Sequence, residues 1–287
     1  MKQLLGVYSP GRPHWVGDGF PVRTLFSYRS HGKQLSPFLL LDYAGPETFP
    51  PATSPRGVGA HPHRGFETVT VVYQGEVAHR DTTGHGGTIG PGDVQWMTAG
   101  SGVLHEEFHG ERFSREGGEL EMIQLWVNLP AASKMVEPAY QAIAAAAIPV
   151  VPLPGQAGSL RVIAGEHAGV KGPANTFSPL HLWDVALNPA SRVELELPDG
   201  WNGALVVRQG EVSVNGEASA GYGQMVVIGG EGRGLAISSA AGGQLLLLSG
   251  KPLDEPIVGE GPFVMSDKEQ LAQAFADFEA GHFGRMA

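Results

Sequence analysis

The chain has 287 residues, no cysteine, a net charge of −10 and a pI near 5.5. These totals exclude disulfides, thiolate catalysis and Cys-type zinc sites, and they place any metal on histidine and carboxylate. With no basic run there is no footprint for direct nucleic-acid binding, which leaves small molecules and proteins as partners.

No stretch approaches the roughly 20 apolar residues of a membrane span. The opening MKQLLGVYSPGRPHW lacks an apolar run of signal-peptide length, so a cytoplasmic location is expected. The 42 glycines and 22 prolines exceed the usual combined share of roughly 12%. They show neither a collagen period nor low complexity, and read as turns between short strands of an all-β sandwich or barrel.

In chain order, PFLLLDYAG (37–45) is the first long apolar run, and FETVTVVYQGEVAHRD (66–81) is two strand-like segments joined at Gln74-Gly75-Glu76. GTIGPGDVQWMTAGSG (87–102) carries turns at Gly90-Pro91-Gly92-Asp93 and Gly100-Ser101-Gly102, and LEMIQLWVNLP (120–130) alternates until Pro130. From Ala131 to Pro149 the chain is Ala-rich without a β period, which predicts a linker with a short helical turn. A second β-rich set follows, with alternation at Val193, Leu195 and Leu197 and runs at 204–216 and 243–250. An apolar run ending in Gln-Gly-Glu-Val occurs at 69–77 and again at 205–212, which suggests two copies of one β-domain. The expected division is 1–130, a linker at 131–149, and 150–287 with a C-terminal helix. In that helix Ser266 and Glu269 predict a capping box, Leu271, Phe275 and Phe278 one apolar face, and Gly281 the stop.

The chemistry sits in HPHRGFETV (61–69). In a strand, residues i and i+2 share a face, so His61 and His63 aim two imidazoles one way. Pro62 is tolerated at a strand start or on an edge. In GVLHEEFHG, His105 and Glu107 share parity and Glu106 points away. Two short strands thus offer a three-nitrogen, one-oxygen donor set from His61, His63, His105 and Glu107. Gly65 and Glu67 continue the parity of His61 and His63, so Glu67 is on the same face, and parity cannot choose between Glu67 and Glu107. His79, His85 and His109 read as solvated or strand-edge histidines. Phe66 and Trp96 read as core aromatics or, alternatively, as substrate walls. No nucleophile triad, P-loop or dinucleotide motif competes.

At these residues the chain resembles the pirin family of the cupin superfamily. The resemblance is carried by HPHRGFETVT, GDVQWMTAGSGVLHEEF, Ile123-Gln124-Leu125-Trp126-Val127-Asn128-Leu129-Pro130, KMVEPAYQ and GPFVMSDKEQ. It implies a bicupin: two antiparallel β-barrels of jelly-roll type in one chain, with a C-terminal α-helix. It also implies one metal, usually Fe(II), in the N-terminal barrel, held by His61, His63, His105 and Glu107, with other divalent transition metals accepted by the same donors. The family pattern has a small residue where Glu106 stands, which adds a charge near the site, and it implies that Glu67 is a second-tier or pocket-wall residue. The C-terminal half, with only His167 and His181 between Val150 and Lys251, offers no such set. The activity implied is that of a quercetin 2,3-dioxygenase: a flavonol-like substrate and dioxygen, with Glu107 also serving as catalytic base. The same resemblance also fits a redox-sensitive regulatory protein with protein partners, or a cupin enzyme for another metabolite.

Overall fold

The fold is given by a computed structural model describing residues 1–286. Twelve strands precede residue 145: β1 (Leu4–Tyr8), β2 (His14–Val16), β3 (Phe20–Ser27), β4 (Phe38–Phe49), β5 (Gly57–His63), β6 (Phe66–Gln74), β7 (Val77–Asp81), β8 (Gly86–Ile89), β9 (Val94–Thr98), β10 (Val103–His109), β11 (Gly118–Asn128) and β12 (Ala139–Ile143). The chain forms two compact units, one of residues 12–28, 38–145 and 254–286, the other of residues 1–11, 29–37 and 146–253. The terminal segments are therefore exchanged relative to a division by sequence order.

The first unit has a seven-stranded antiparallel sheet in the order β12-β9-β6-β11-β4-β3-β2 and a four-stranded one in the order β5-β10-β7-β8. Its core includes Phe20, Val22, Val72, Val77, Ile89, Leu120 and Met122, the apolar members of alternating strands. The second unit is built on a ten-stranded sheet, with Leu180–Leu187, Gly243–Gly250 and Asn202–Val214 as central strands. Leu160, Trp183, Val185, Leu205 and Leu247 lie in its core, and β1 pairs with its strand Met225–Ile228. The two Gln-Gly-Glu-Val copies share a device: Gly75 and Gly210 both have φ near +80° (+84° and +78°). At the first, the chain turns between β6 and β7. At the second, it continues through a shift in pairing register between Val207 and Gln209.

Residues 131–149 are more than a linker. Ala139–Ile143 forms β12, paired with β9 so that Tyr140 faces Met97, which completes the backbone hydrogen bonds along the outer side of β9. The C-terminal helix, Lys268–Glu279, packs within the first unit. Its Leu271 and Ala274 join Phe263, Met265, Phe283 and Leu104 in one apolar cluster. Its cap is one residue later than the sequence suggests. The Asp267 carboxylate accepts from the Gln270 backbone N–H at 2.7 Å and from the Gln270 side chain at 2.7 Å. Asp-x-x-Gln outcompetes Ser-x-x-Glu here, since Asp caps as well as Ser. Phe278 stays 38% exposed, so the apolar face is narrower than its spacing implies.

Candidate metal centre

β5 is the outer strand of its sheet, which is why Pro62 is harmless there. It pairs antiparallel with β10, His61 opposite His105 and His63 opposite Val103. Opposed side chains share a face, so the three imidazoles converge. Their ring centroids are 4.2 Å (His61–His105), 4.8 Å (His63–His105) and 4.9 Å (His61–His63) apart, with one nitrogen of each ring within 4.8 Å of the others. Burial, with the neighbouring imidazoles second, holds His63 and His105 well below the usual histidine pKa. Both are therefore neutral at pH 7 and keep a lone pair. His63 Nδ1 and His105 Nε2 are buried without a hydrogen-bond partner, whereas His61 Nδ1 is engaged by the Gly59 carbonyl at 2.8 Å. Orphaned, neutral, converging nitrogens are what a divalent transition metal requires.

Glu107 belongs to a second, overlapping group, with His79 and His105. A pairing shift between His105 and Glu107 separates it from the β5 histidines, and it faces His79 of β7 instead. Sequence reading passes over His79, yet it is buried and stacked on Tyr140 with rings 6° from parallel. Its Nδ1 lies 3.3 Å from His105 Nδ1, and its Nε2 lies 3.6 Å from the Asp81 carboxylate. His79 Nε2 has no hydrogen-bond partner of its own; with its proton there, toward that carboxylate, His79 Nδ1 accepts from His105 and leaves His105 Nε2 bare. His79→Ala is expected to weaken metal binding roughly 10–100-fold, the usual effect of losing such a partner, as read by chelator competition. His109 is also buried, its Nε2 on the Gly19 carbonyl at 2.8 Å among Phe20, Phe49 and Phe113. It is a core residue; His85 alone of the three is exposed.

The end of β5 is clamped. Gly65 has φ +87°, and a Cβ there would sit 2.1 Å from the Val264 carbonyl oxygen. Arg64 donates to the Ser101 carbonyl at 2.7 Å and pairs with Asp277 of the C-terminal helix at 2.8 Å. The left-handed Gly65 also resets the parity of β6. Glu67 lies on the strand face opposite Thr68 and Thr70, accepting from the Thr98 hydroxyl at 2.8 Å. It is not a wall of the pocket.

Burial pushes the Glu67 carboxyl up to about 7, against the lowering by Thr98 and Trp96. The folded state thus holds this proton more tightly than the unfolded chain. The associated stability is full below about pH 4.5 and lost as pH rises through about 7. Glu67→Gln is expected to be more stable than the parent by roughly 1–3 kcal/mol at pH 8 and no more stable at pH 4, by urea unfolding at both values.

His61, His63 and Glu107 line a cavity of about 360 Å³. Its apolar walls are Val16, Phe20, Val22, Val58, Met122 and Trp126, with Asp42 and Gln124 the other polar side chains. Phe66 and Trp96 are fully buried and do not line it; Phe66 instead stacks behind Trp126 at 4.2 Å. The period-two pattern Met122, Gln124, Trp126 was the available signal for this wall.

Residues 19–127 match Pirin, and residues 182–284 match the Pirin C-terminal cupin domain. The chain belongs to the pirin family. A Pseudomonas aeruginosa protein provisionally named quercetin 2,3-dioxygenase is 58% identical over 99% of both chains. Pirin-like protein 2 of Arabidopsis thaliana is 38% identical over 93% of this chain and 81% of its own. A crystal structure titled quercetin 2,3-dioxygenase from Acinetobacter baumannii superposes with a TM-score of 0.97 at 52% identity, covering 100% of each chain. A bacterial pirin of Escherichia coli in complex with nickel(II) shares the fold, at a TM-score of 0.66, 20% identity, and 86% and 99% coverage.

Glu106, where the pirin pattern has a small residue, pairs with Arg80 directly opposite on β7. Its charge is neutralised on the strand face away from Glu107, so the departure leaves the interior unaltered.

Proposed function

We propose that this pirin is an Fe(II)-dependent dioxygenase that opens the ring of a flavonol such as quercetin, with His61, His63, His105 and Glu107 holding one ion per chain. The observation that carries the reading is the set of three converging imidazoles, two of them neutral and with unpartnered nitrogens, at a largely apolar cavity. Iron bound there supplies Lewis acidity toward an enolic oxygen and a redox partner for dioxygen. The chain's own residues do the rest. Phe20, Val22, Met122 and Trp126 give a planar aromatic substrate a dry surface, which strengthens every polar contact inside. Glu107 accepts the proton of the 3-hydroxyl, converting it to the better donor. The names of the 58% identical P. aeruginosa relative and the A. baumannii structure support the substrate class, and the nickel complex supports tolerance for other divalent metals. Fe(II)-loaded protein under oxygen is expected to bleach the near-visible band of quercetin. A rate equal to that of metal-free protein would refute the reading.

A further inference from the structure

One row of polar side chains crosses the inner face of the large sheet. Thr70 of β6 stands opposite Gln124 of β11, Gln124 opposite Asp42 of β4, and Asp42 opposite Thr24 of β3. Side chains so opposed have Cβ atoms about 4.5–5.5 Å apart, so the four are contiguous. The next row, Val72, Met122, Ala44 and Val22, is wholly apolar. A half-buried polar stripe on the wall of an otherwise apolar cavity is retained for a reason other than packing.

The hydrogen bonds within the row fix its orientation. Thr70 donates to Gln124 Oε1 at 2.7 Å, which turns the Gln124 amide nitrogen away from β6. Thr24 donates to Asp42 Oδ1 at 2.5 Å. Gln124 Nε2 and Asp42 Oδ2 then have no protein hydrogen-bond partner among the described residues. Both side chains line the cavity that holds His61, His63 and Glu107. Asp42 is in no metal-holding group. Burial pushes its carboxyl above the usual range, against Thr24 and His14, so its placement is not a solvated accident.

We infer that Asp42 and Gln124 together receive a phenolic hydroxyl on the part of the substrate remote from its metal-binding oxygen, and that the pocket selects enolic aromatics carrying such a second hydroxyl. A phenol is donor and acceptor at once: its O–H donates to Asp42 Oδ2, and its oxygen accepts from Gln124 Nε2. A ligand without that hydroxyl leaves both groups desolvated and unpaired, the strongest form of discrimination a small site has. The assignment rests on the flavonol reading and names which flavonols fit.

The test is a binding titration under nitrogen with Ni(II)-loaded protein, following ligand absorbance. The probes are quercetin and 3-hydroxyflavone, which keeps the chelating 3-hydroxy-4-keto unit and lacks the phenolic hydroxyls. The parent is expected to prefer quercetin at least tenfold. Asp42→Asn, isosteric but with a donor in place of the second acceptor, and Gln124→Leu are each expected to reduce that ratio to within about twofold. A ratio unchanged in both variants, or a parent that binds the two probes equally, overturns the hydroxyl receptor and leaves the flavonol reading standing. A loaded parent that binds neither probe overturns both.

Discussion

His105→Ala is expected to weaken metal binding on the order of 100-fold, so that a weak chelator strips the ion, and to lower quercetin turnover with it. His105 is the one residue common to both potential donor groups, and its neighbours on the two adjacent strands are His61 and Asp81. It is fully buried, so no water-exposed side chain can replace it. Four-donor sites bind with roughly 10–16 kcal/mol, and losing one donor removes about 3 kcal/mol, on the order of 100-fold in affinity. Metal analysis after dialysis against a weak chelator reads this directly. Full occupancy of the variant would sink the four-residue site, whatever happened to activity. Glu107→Gln provides a contrast. It keeps an oxygen donor but not the base, so turnover is expected to fall further than occupancy does.

The convergence of His61, His63 and His105 was legible in large part because the candidate spacing is local. His61 with His63, and His105 with Glu107, each lie two residues apart inside one strand, where alternation decides the face. Legibility ended where the answer depended on pairing between strands. His79 meets His105 and Glu107 only through the β7–β10 register, which no single strand encodes. Parity puts Glu67 on the wrong face because it does not carry across a residue with positive φ, and Gly65 is one. Asp42, Gln124 and Trp126 show their alternation plainly, but alternation does not say which face of a two-sided, buried sheet encloses a cavity. The helix was visible from its period. Its home in the first unit was not, because an apolar stripe states that it will be covered and leaves open by what.

Lys134 is the last residue that the sequence disguises, since it falls in the Ala-rich stretch that reads as linker. Its ammonium group is buried and donates to the Gly65 carbonyl at 2.8 Å, the Asn128 side-chain oxygen at 2.7 Å and the Val264 carbonyl at 2.9 Å. Three donors meet three acceptors, so the group is saturated. Two of those acceptors bound the turn that follows His63. Lys134→Met keeps the length and apolar stem but strips all three acceptors of their donor in a site water cannot reach. Each unpaired group costs about 1–3 kcal/mol, and part of the loss relaxes, so the variant is expected to be destabilised by about 3–5 kcal/mol in urea unfolding. Because the turn carries His63, metal affinity is expected to fall in the folded variant as well, although Lys134 touches no donor. A variant that unfolds at the parent's urea midpoint would show that the turn is held by Gly65 and Arg64 alone.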